Sequence, residues 1–178
     1  MPAGTAFPVE LLALVDKILY LRPMKILMVC LGNICRSPLA EGVMQSLVDK
    51  YQLDWKIDSA GTSNWHEGEP PHHRSIKIAR NHGIDLSVQR SRPFRAEDMT
   101  EFDHIYVMDS QNYQDVKRIA GKLWNQDKVD LILNAVTPGK NKAVPDPWYE
   151  DTDKAFEQVY QLLLEACEQL TEQLNTQQ

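Results

Sequence analysis

Cysteine is scarce in this sequence and long apolar runs are absent, and each shortage excludes a class of protein. Three cysteines, an odd number, are too few for the disulfide framework of a small secreted domain and favour a reducing compartment. No stretch approaches the roughly 20 apolar residues that cross a bilayer. The N-terminus also lacks the basic segment and the uninterrupted apolar run of a signal peptide. We therefore predict a cytoplasmic protein without a membrane partner.

Basic residues are outnumbered by acidic ones. The chain carries 19 Lys and Arg residues against 25 Asp and Glu residues, which gives a formal net charge of −6. Proteins that bind nucleic acid over a broad face usually carry a clustered positive charge there. A nucleic-acid partner is therefore not expected, and any anionic ligand must bind in a local pocket.

Internal repeats and domain linkers are also missing. The chain has 178 residues, of which 43% are hydrophobic and 25% charged, and this is the length and composition of one globular domain. We predict one globular domain over residues 24–178, preceded by an N-terminal extension over residues 1–23. Residues 9–21 of that extension are predicted to form a short amphipathic helix packed on the domain.

Apolar segments alternate with segments of helical periodicity along the rest of the chain. Short apolar runs such as residues 25–30 fit strands buried on both faces, which is typical of parallel sheets. This alternation predicts an α/β fold, a three-layer sandwich of about four parallel strands with helices on both faces. The predicted strands are 25–30, 55–61, 105–108 and 129–133, and the predicted helices are 38–51, 73–81, 111–120 and 154–174.

A distinctive loop follows the first predicted strand, at the edge where parallel sheets bind ligands. Cys30 and Arg36, whose guanidinium matches two phosphate oxygens, enclose five residues that can turn their N–H groups inward as an anion nest. Gly32 permits a close backbone approach, and Asn33 tolerates a left-handed conformation. The next helix, with Ser37 as its predicted N-cap, points its positive end at the nest. The predicted phosphate-binding loop therefore contains Leu31, Gly32, Asn33, Ile34, Cys35 and Ser37.

The same loop suits nucleophilic chemistry on phosphorus. A helix N-terminus and a guanidinium stabilise a thiolate, so Cys30 is predicted to be ionised, and Ser37 can hydrogen-bond its sulfur. The leaving oxygen of a phosphate ester needs a proton, and Asp146, held between two prolines, is the best candidate for the general acid. Trp148 and Tyr149 follow it and can form walls for an aryl substrate.

Five segments match one known family in their order and separation. They are Val29–Glu41, Asp58–Ser63, His82–Ile84, Met108–Asp109 and Asp146–Tyr149. On these residues the chain resembles the low-molecular-weight protein tyrosine phosphatases, and the resemblance extends from about Met24 to Leu174. It implies hydrolysis of phosphotyrosine in a protein substrate through a phosphocysteine intermediate. It also implies that inorganic phosphate or a similar oxyanion binds the site and that no metal or cofactor is needed.

The resemblance assigns roles to individual residues. It implies that Cys30 is the nucleophile, that Arg36 clamps the phosphate, and that Asp146 acts first as acid and then as base for the attacking water. The supporting roles it implies are a polar network of Asn33, Ser37 and Ser59, and substrate walls formed by Trp65, Trp148 and Tyr149.

The other cysteines and a histidine-rich segment have competing interpretations. Cys35 is either a small packed residue or, as the resemblance implies, a redox guard that traps oxidised Cys30 as a disulfide. Cys167 falls near the apolar side of the last predicted helix and is predicted to be structural. The histidines and glutamates from His66 to His73 match no standard ligand spacing, so no metal site is predicted.

Two departures from the family pattern concern the surroundings of the loop. The family often has two tyrosines and a glycine after its Asp-Pro pair, whereas this chain has Trp148, Tyr149 and Glu150. A histidine often supports the loop network, and Gln89 is the best match to it here. An aromatic wall is therefore retained, while the support of the loop differs.

Three other functions are open on the sequence alone. An arginine phosphatase of the same fold places threonine where Ile34 stands, and this bulky apolar residue favours an aryl phosphate. An arsenate reductase needs further redox cysteines, but none occurs between Cys35 and Cys167. A non-catalytic phosphate-binding module has no need of a general acid such as Asp146. The sequence therefore favours phosphotyrosine hydrolysis.

Overall fold

Four parallel strands form the centre of the computed structural model, which describes residues 22–176. The strands are β1 (Met24–Cys30), β2 (Trp55–Gly61), β3 (His104–Val107) and β4 (Val129–Leu131). Their order across the sheet is β2-β1-β3-β4, and every neighbouring pair is parallel. This arrangement confirms the predicted α/β fold.

Within residues 22–176, five α-helices connect or follow the strands. They are α1 (Arg36–Tyr51), α2 (His73–Asn81), α3 (Asp98–Glu101), α4 (Ser110–Ala120) and α5 (Asp153–Asn175). Side chains cap three of them, because His72, Asp109 and Thr152 accept hydrogen bonds from first-turn amides of α2, α4 and α5. The helix predicted at residues 9–21 lies outside the described residues. No helix among residues 22–176 is both long and apolar enough to cross a membrane.

Successive side chains of β1 point to opposite faces of the sheet, and the core therefore has two layers. Ile26 and Met28 pack with apolar residues of α1, α2 and α5, whereas Leu27 and Val29 pack with those of α3 and α4. All four side chains are fully buried. Helices therefore cover both faces of the sheet, as predicted.

The carboxyl edge of the sheet gathers the segments that carry polar side chains. Cys30 ends β1, and Met108 follows β3 with its N–H donating to the carbonyl of Val29 at 3.1 Å. The carbonyl of Met108 in turn accepts from the N–H of Val144 at 2.8 Å. Asp146 lies two residues further on. Segments that are more than 100 residues apart in the chain thus meet at one edge.

The predicted N-cap at Ser37 is wrong. Helix α1 begins at Arg36, and Cys35 occupies the cap position without a side-chain hydrogen bond to the helix. The hydroxyl of Ser37 contacts the sulfur of Cys30 instead, so it is not available to cap a backbone amide.

Two further local features differ from the sequence-based expectation. Strand β4 stops at Leu131, because the chain tightens into a 3₁₀ helix over Ile132–Ala135. The one-turn helix α3 was not predicted, since four residues are too few to show a helical period. Neither difference changes the sheet edge that carries the loops.

Candidate active site

The phosphate-binding loop places two polar groups against the sulfur of Cys30. Ser37 Oγ lies 3.0 Å from Cys30 Sγ, and the backbone N–H of Asn33 donates to the same sulfur at 3.3 Å. The side chain of Cys30 is buried at the end of β1. These two contacts fix the position of the sulfur within the loop.

Unpaired backbone amides line the bend between β1 and α1. Within residues 22–176, no carbonyl or side chain accepts a hydrogen bond from the N–H groups of Gly32, Ile34 or Cys35. Asn33 sits between them with φ of 54°, the left-handed conformation that Asn tolerates better than most residues. Buried N–H groups without partners are rare, and here they form a nest for an anion.

Asn33 holds the loop through both ends of its side-chain amide. Its Nδ2 donates to Ser37 Oγ at 2.8 Å and to Ser59 Oγ at 2.9 Å. Its Oδ1 accepts from the backbone N–H of Arg92 at 2.9 Å. The three residues predicted as a polar network are thus in direct contact. Gln89, the predicted match to the supporting histidine, contacts the carbonyl of Pro38 instead.

Arg92 was not predicted as part of this network. Its guanidinium bonds Asp58 Oδ2 at 2.8 Å and Asp98 Oδ2 at 3.1 Å, which fixes the backbone that reaches Asn33. No local motif marks this residue in the sequence, because its partners lie on β2 and α3. The ion pairs of Arg92 with Asp58 and Asp98 therefore support the phosphate-binding loop.

Ser59 connects the network to a partly buried acid. The Ser59 hydroxyl donates to Glu41 Oε2 at 2.5 Å. Burial raises the pKa of Glu41 to about 7, although this hydrogen bond acts in the opposite direction. Glu41 was predicted only as part of the family motif, and the structure brings it into contact with the network.

Arg36 reaches the pocket as a buried, oriented guanidinium. Its Nη1 donates to Asp109 Oδ2 at 2.7 Å and to the carbonyl of Val144 at 3.1 Å. Its Nη2 donates to Asp146 Oδ2 at 3.3 Å. Only 4% of the Arg36 side chain is exposed, so a guanidinium held this way loses little freedom when an oxyanion binds. Asp109 also caps α4, and nothing in the sequence pointed to its contact with Arg36.

The remaining predicted residues surround an open cavity of about 180 Å³. Cys30, Arg36 and Asp146 lie at its base, and Trp65, Trp148 and Tyr149 form its rim. These three aromatic side chains are 72%, 48% and 83% exposed, which leaves their faces free for a substrate. His66 also lines the rim, and no spacing in the sequence pointed to it.

The two other cysteines differ in their surroundings. Cys35 lines the same cavity as Cys30, and burial raises the pKa of its thiol, as does the neighbouring Cys30. Cys167 is fully buried on α5, where its neighbours are core residues. All three cysteines are free thiols.

Comparison with known proteins agrees with this geometry. A family model described as low molecular weight phosphotyrosine protein phosphatase matches residues 25–178. The low molecular weight protein-tyrosine-phosphatase YfkJ of Bacillus subtilis is 40% identical over 147 residues, covering 82% of this chain and 92% of that protein. The low molecular weight phosphotyrosine protein phosphatase of Mus musculus is 40% identical over 149 residues, covering 83% and 93%.

Solved structures give the same result. The crystal structure of YfkJ has a TM-score of 0.81 at 37% identity and covers 88% of this chain and 97% of its own. A protein tyrosine phosphatase from Entamoeba histolytica, solved with Hepes in its active site, has a TM-score of 0.78 at 37% identity, covering 86% and 97%. On sequence and structure together, the chain belongs to the low molecular weight phosphotyrosine protein phosphatase family.

Proposed function

We propose that this protein removes phosphate from phosphotyrosine in protein substrates through a phosphocysteine intermediate on Cys30. One observation carries the proposal. A thiol that accepts a hydrogen bond from the Asn33 amide and contacts the Ser37 hydroxyl shares one cavity with an oriented guanidinium, a carboxyl group and an aromatic rim. Binding alone needs the guanidinium and the amides, but only catalysis needs the thiol and the carboxyl group as well.

The phosphate group binds first, in the nest of the loop. The N–H groups of Gly32, Ile34 and Cys35 and the guanidinium of Arg36 supply donors to its oxygens. Arg36 is already aimed at the cavity by Asp109, so ligand binding need not reorganise it. The same donors meet the charge that develops on the equatorial oxygens in the transition state.

Two chemical steps follow at phosphorus. In the first, Cys30 Sγ forms a bond to phosphorus while the bond to the tyrosyl oxygen breaks, and Asp146 gives its proton to that oxygen. In the second, Asp146 takes a proton from water as the water oxygen attacks phosphorus and the S–P bond breaks. The hydroxyl of Ser37 stabilises the sulfur as it leaves as a thiolate.

The walls of the cavity favour an aryl ester. Trp65, Trp148 and Tyr149 offer faces on which a phenyl ring can stack. The side chain of Ile34 lines the same cavity and offers no polar partner for a guanidinium, which disfavours phosphoarginine. Arsenate reduction is disfavoured because no further cysteine lies near Cys35 and Cys30 in the described residues.

Hydrolysis of p-nitrophenyl phosphate tests the metal-free mechanism. Because the nucleophile and the acid are side chains, the rate is expected to change by less than about twofold when a strong chelator is added. A phosphotyrosine peptide should be cleaved far faster than the same peptide with phosphoserine or phosphoarginine. Loss of activity in chelator, or a preference for phosphoarginine, would contradict the proposal.

The reducing environment of the cytoplasm fits the three free thiols, and we include this location in the proposal. Reactive oxygen species still oxidise thiolates there, and Cys35 can protect oxidised Cys30 from irreversible oxidation. Peroxide converts the Cys30 thiolate to a sulfenic acid, and the thiol of Cys35 then displaces water from it to form a disulfide. A dithiol reductant returns both residues to thiols.

Replacement of Cys35 by alanine tests this redox role. After brief exposure to hydrogen peroxide, the wild-type protein is expected to regain most of its activity in dithiothreitol. The Cys35→Ala variant is expected to regain little, because its Cys30 advances to the sulfinic acid. Cys167→Ala removes a distant cysteine and serves as the matched control, which should recover like the wild type. Equal recovery of Cys35→Ala and the control would leave Cys35 as a packing residue only.

A further inference from the structure

Two histidines and an aspartate that the proposed reaction does not use lie together beside the cavity. His72 caps α2, His73 is its first residue, and Asp151 ends the loop that carries Asp146. One ligand atom from each of the three side chains lies within 4.8 Å of the other two. The sequence did not suggest this group, because Asp151 is separated from the histidines by 78 residues.

We propose that His72, His73 and Asp151 form a binding site for one divalent transition-metal ion of the Zn²⁺ or Co²⁺ type. Two imidazoles and a carboxylate are the ligands such ions prefer. Ligand atoms about 2.1 Å from a tetrahedral ion stand roughly 3.4 Å apart. His72 Nε2 and Asp151 Oδ1 are 3.7 Å apart, too far for a hydrogen bond and close to that separation.

His72 is the positioned member of the group. Its ring stacks on Phe156 with 5.0 Å between centroids and meets the edge of Trp148 at 5.5 Å. His73 is exposed, so its ring can turn toward an ion without disturbing the core.

Arg74 opposes the ion. Its Nε donates to Asp151 Oδ1 at 2.8 Å. The guanidinium also repels a second cation and occupies one of the two carboxylate oxygens. Binding of an ion at His72 Nε2 leaves the ring proton on Nδ1. The 3.3 Å hydrogen bond that Nδ1 accepts from the Arg74 backbone amide is then lost. Removal of the Arg74 charge should therefore strengthen binding.

A bound ion would link two parts of the molecule that flank the cavity. The N–H of His72 donates to the carbonyl of Ile34 in the phosphate-binding loop at 2.7 Å. Asp151 is five residues from Asp146. The ion would thus fasten the loop of the proposed acid to α2 and to the phosphate-binding loop. The site is separate from the chemistry at Cys30, which needs no metal ion.

Titration with Co²⁺ of the full chain carrying Cys30→Ser tests the site. The serine removes the thiolate, which is a competing ligand, and the visible absorption of Co²⁺ reports on its ligands. We expect one ion per chain and no sulfur-to-metal charge-transfer band. In this background, His73→Gln and Asp151→Asn should each raise Kd by about tenfold or more.

Two further variants make the test specific. Arg74→Gln should lower Kd severalfold, since it frees the carboxylate and removes a positive charge. His82→Gln, which alters a histidine paired with Glu157 elsewhere, should leave Kd unchanged. A charge-transfer band, weaker binding in Arg74→Gln, or equal effects of His73→Gln and His82→Gln would each overturn the proposal.

Discussion

Replacement of Cys30 by serine is expected to lower kcat by about 10⁵-fold while phosphate still binds. A serine hydroxyl is a much weaker nucleophile than a cysteine sulfur, so the attack on phosphorus becomes very slow. The donors that bind phosphate are untouched, because they are the guanidinium of Arg36 and backbone amides of the loop. Turnover and binding should therefore separate in this variant.

Two measurements on the same preparation check this separation. Hydrolysis of p-nitrophenyl phosphate gives kcat, and calorimetric titration with inorganic phosphate gives Kd, which should stay within about fivefold of the wild-type value. Cys167→Ala is the matched control, since it removes a buried cysteine away from the cavity. Retained turnover in Cys30→Ser would remove Cys30 as nucleophile. Loss of phosphate binding would instead indicate that the loop had collapsed.

The sheet could be predicted from the sequence because its signal is local. The apolar run that becomes β1 is buried on both faces, and only a central parallel strand has that environment. The ends of elements were less predictable, since they depend on contacts outside the segment. Ser37 illustrates this point, because a residue suited to capping a helix binds the sulfur of Cys30 instead.

The candidate site likewise contains residues that local sequence predicts and residues that it does not. Cys30 and Arg36 could be predicted together, because they flank one short loop at the end of a strand. The residues that hold them come from distant parts of the chain. Asp109 reaches Arg36 from the end of β3, and Arg92 reaches Asn33 from the segment before α3. No spacing along the sequence encodes such contacts, which arise only when the sheet brings its edges together.

Replacement of Asp146 by asparagine is expected to reduce turnover most for substrates whose leaving oxygen is most basic, because that oxygen must be protonated as it leaves. For phenyl phosphate, whose leaving oxygen is strongly basic, kcat should fall by about 10³-fold. For p-nitrophenyl phosphate, whose phenolate leaves readily, the rate of phosphocysteine formation should fall by less than about tenfold. A series of substituted phenyl phosphates measures this effect, because kcat/KM reports on the steps up to the formation of phosphocysteine. The slope of log kcat/KM against leaving-group pKa should be steeper in the variant.

Asp109→Asn provides the contrast that identifies the acid. Asp109 and Asp146 both bond the guanidinium of Arg36, at 2.7 Å and 3.3 Å, so either change can disturb the phosphate clamp. A disturbed clamp weakens stabilisation of the same three phosphate oxygens in every substrate, so Asp109→Asn should lower all rates by a similar factor. Only loss of a proton donor makes the loss grow with the basicity of the leaving group. Parallel slopes for the two variants would show that Asp146 acts through Arg36 and is not the general acid.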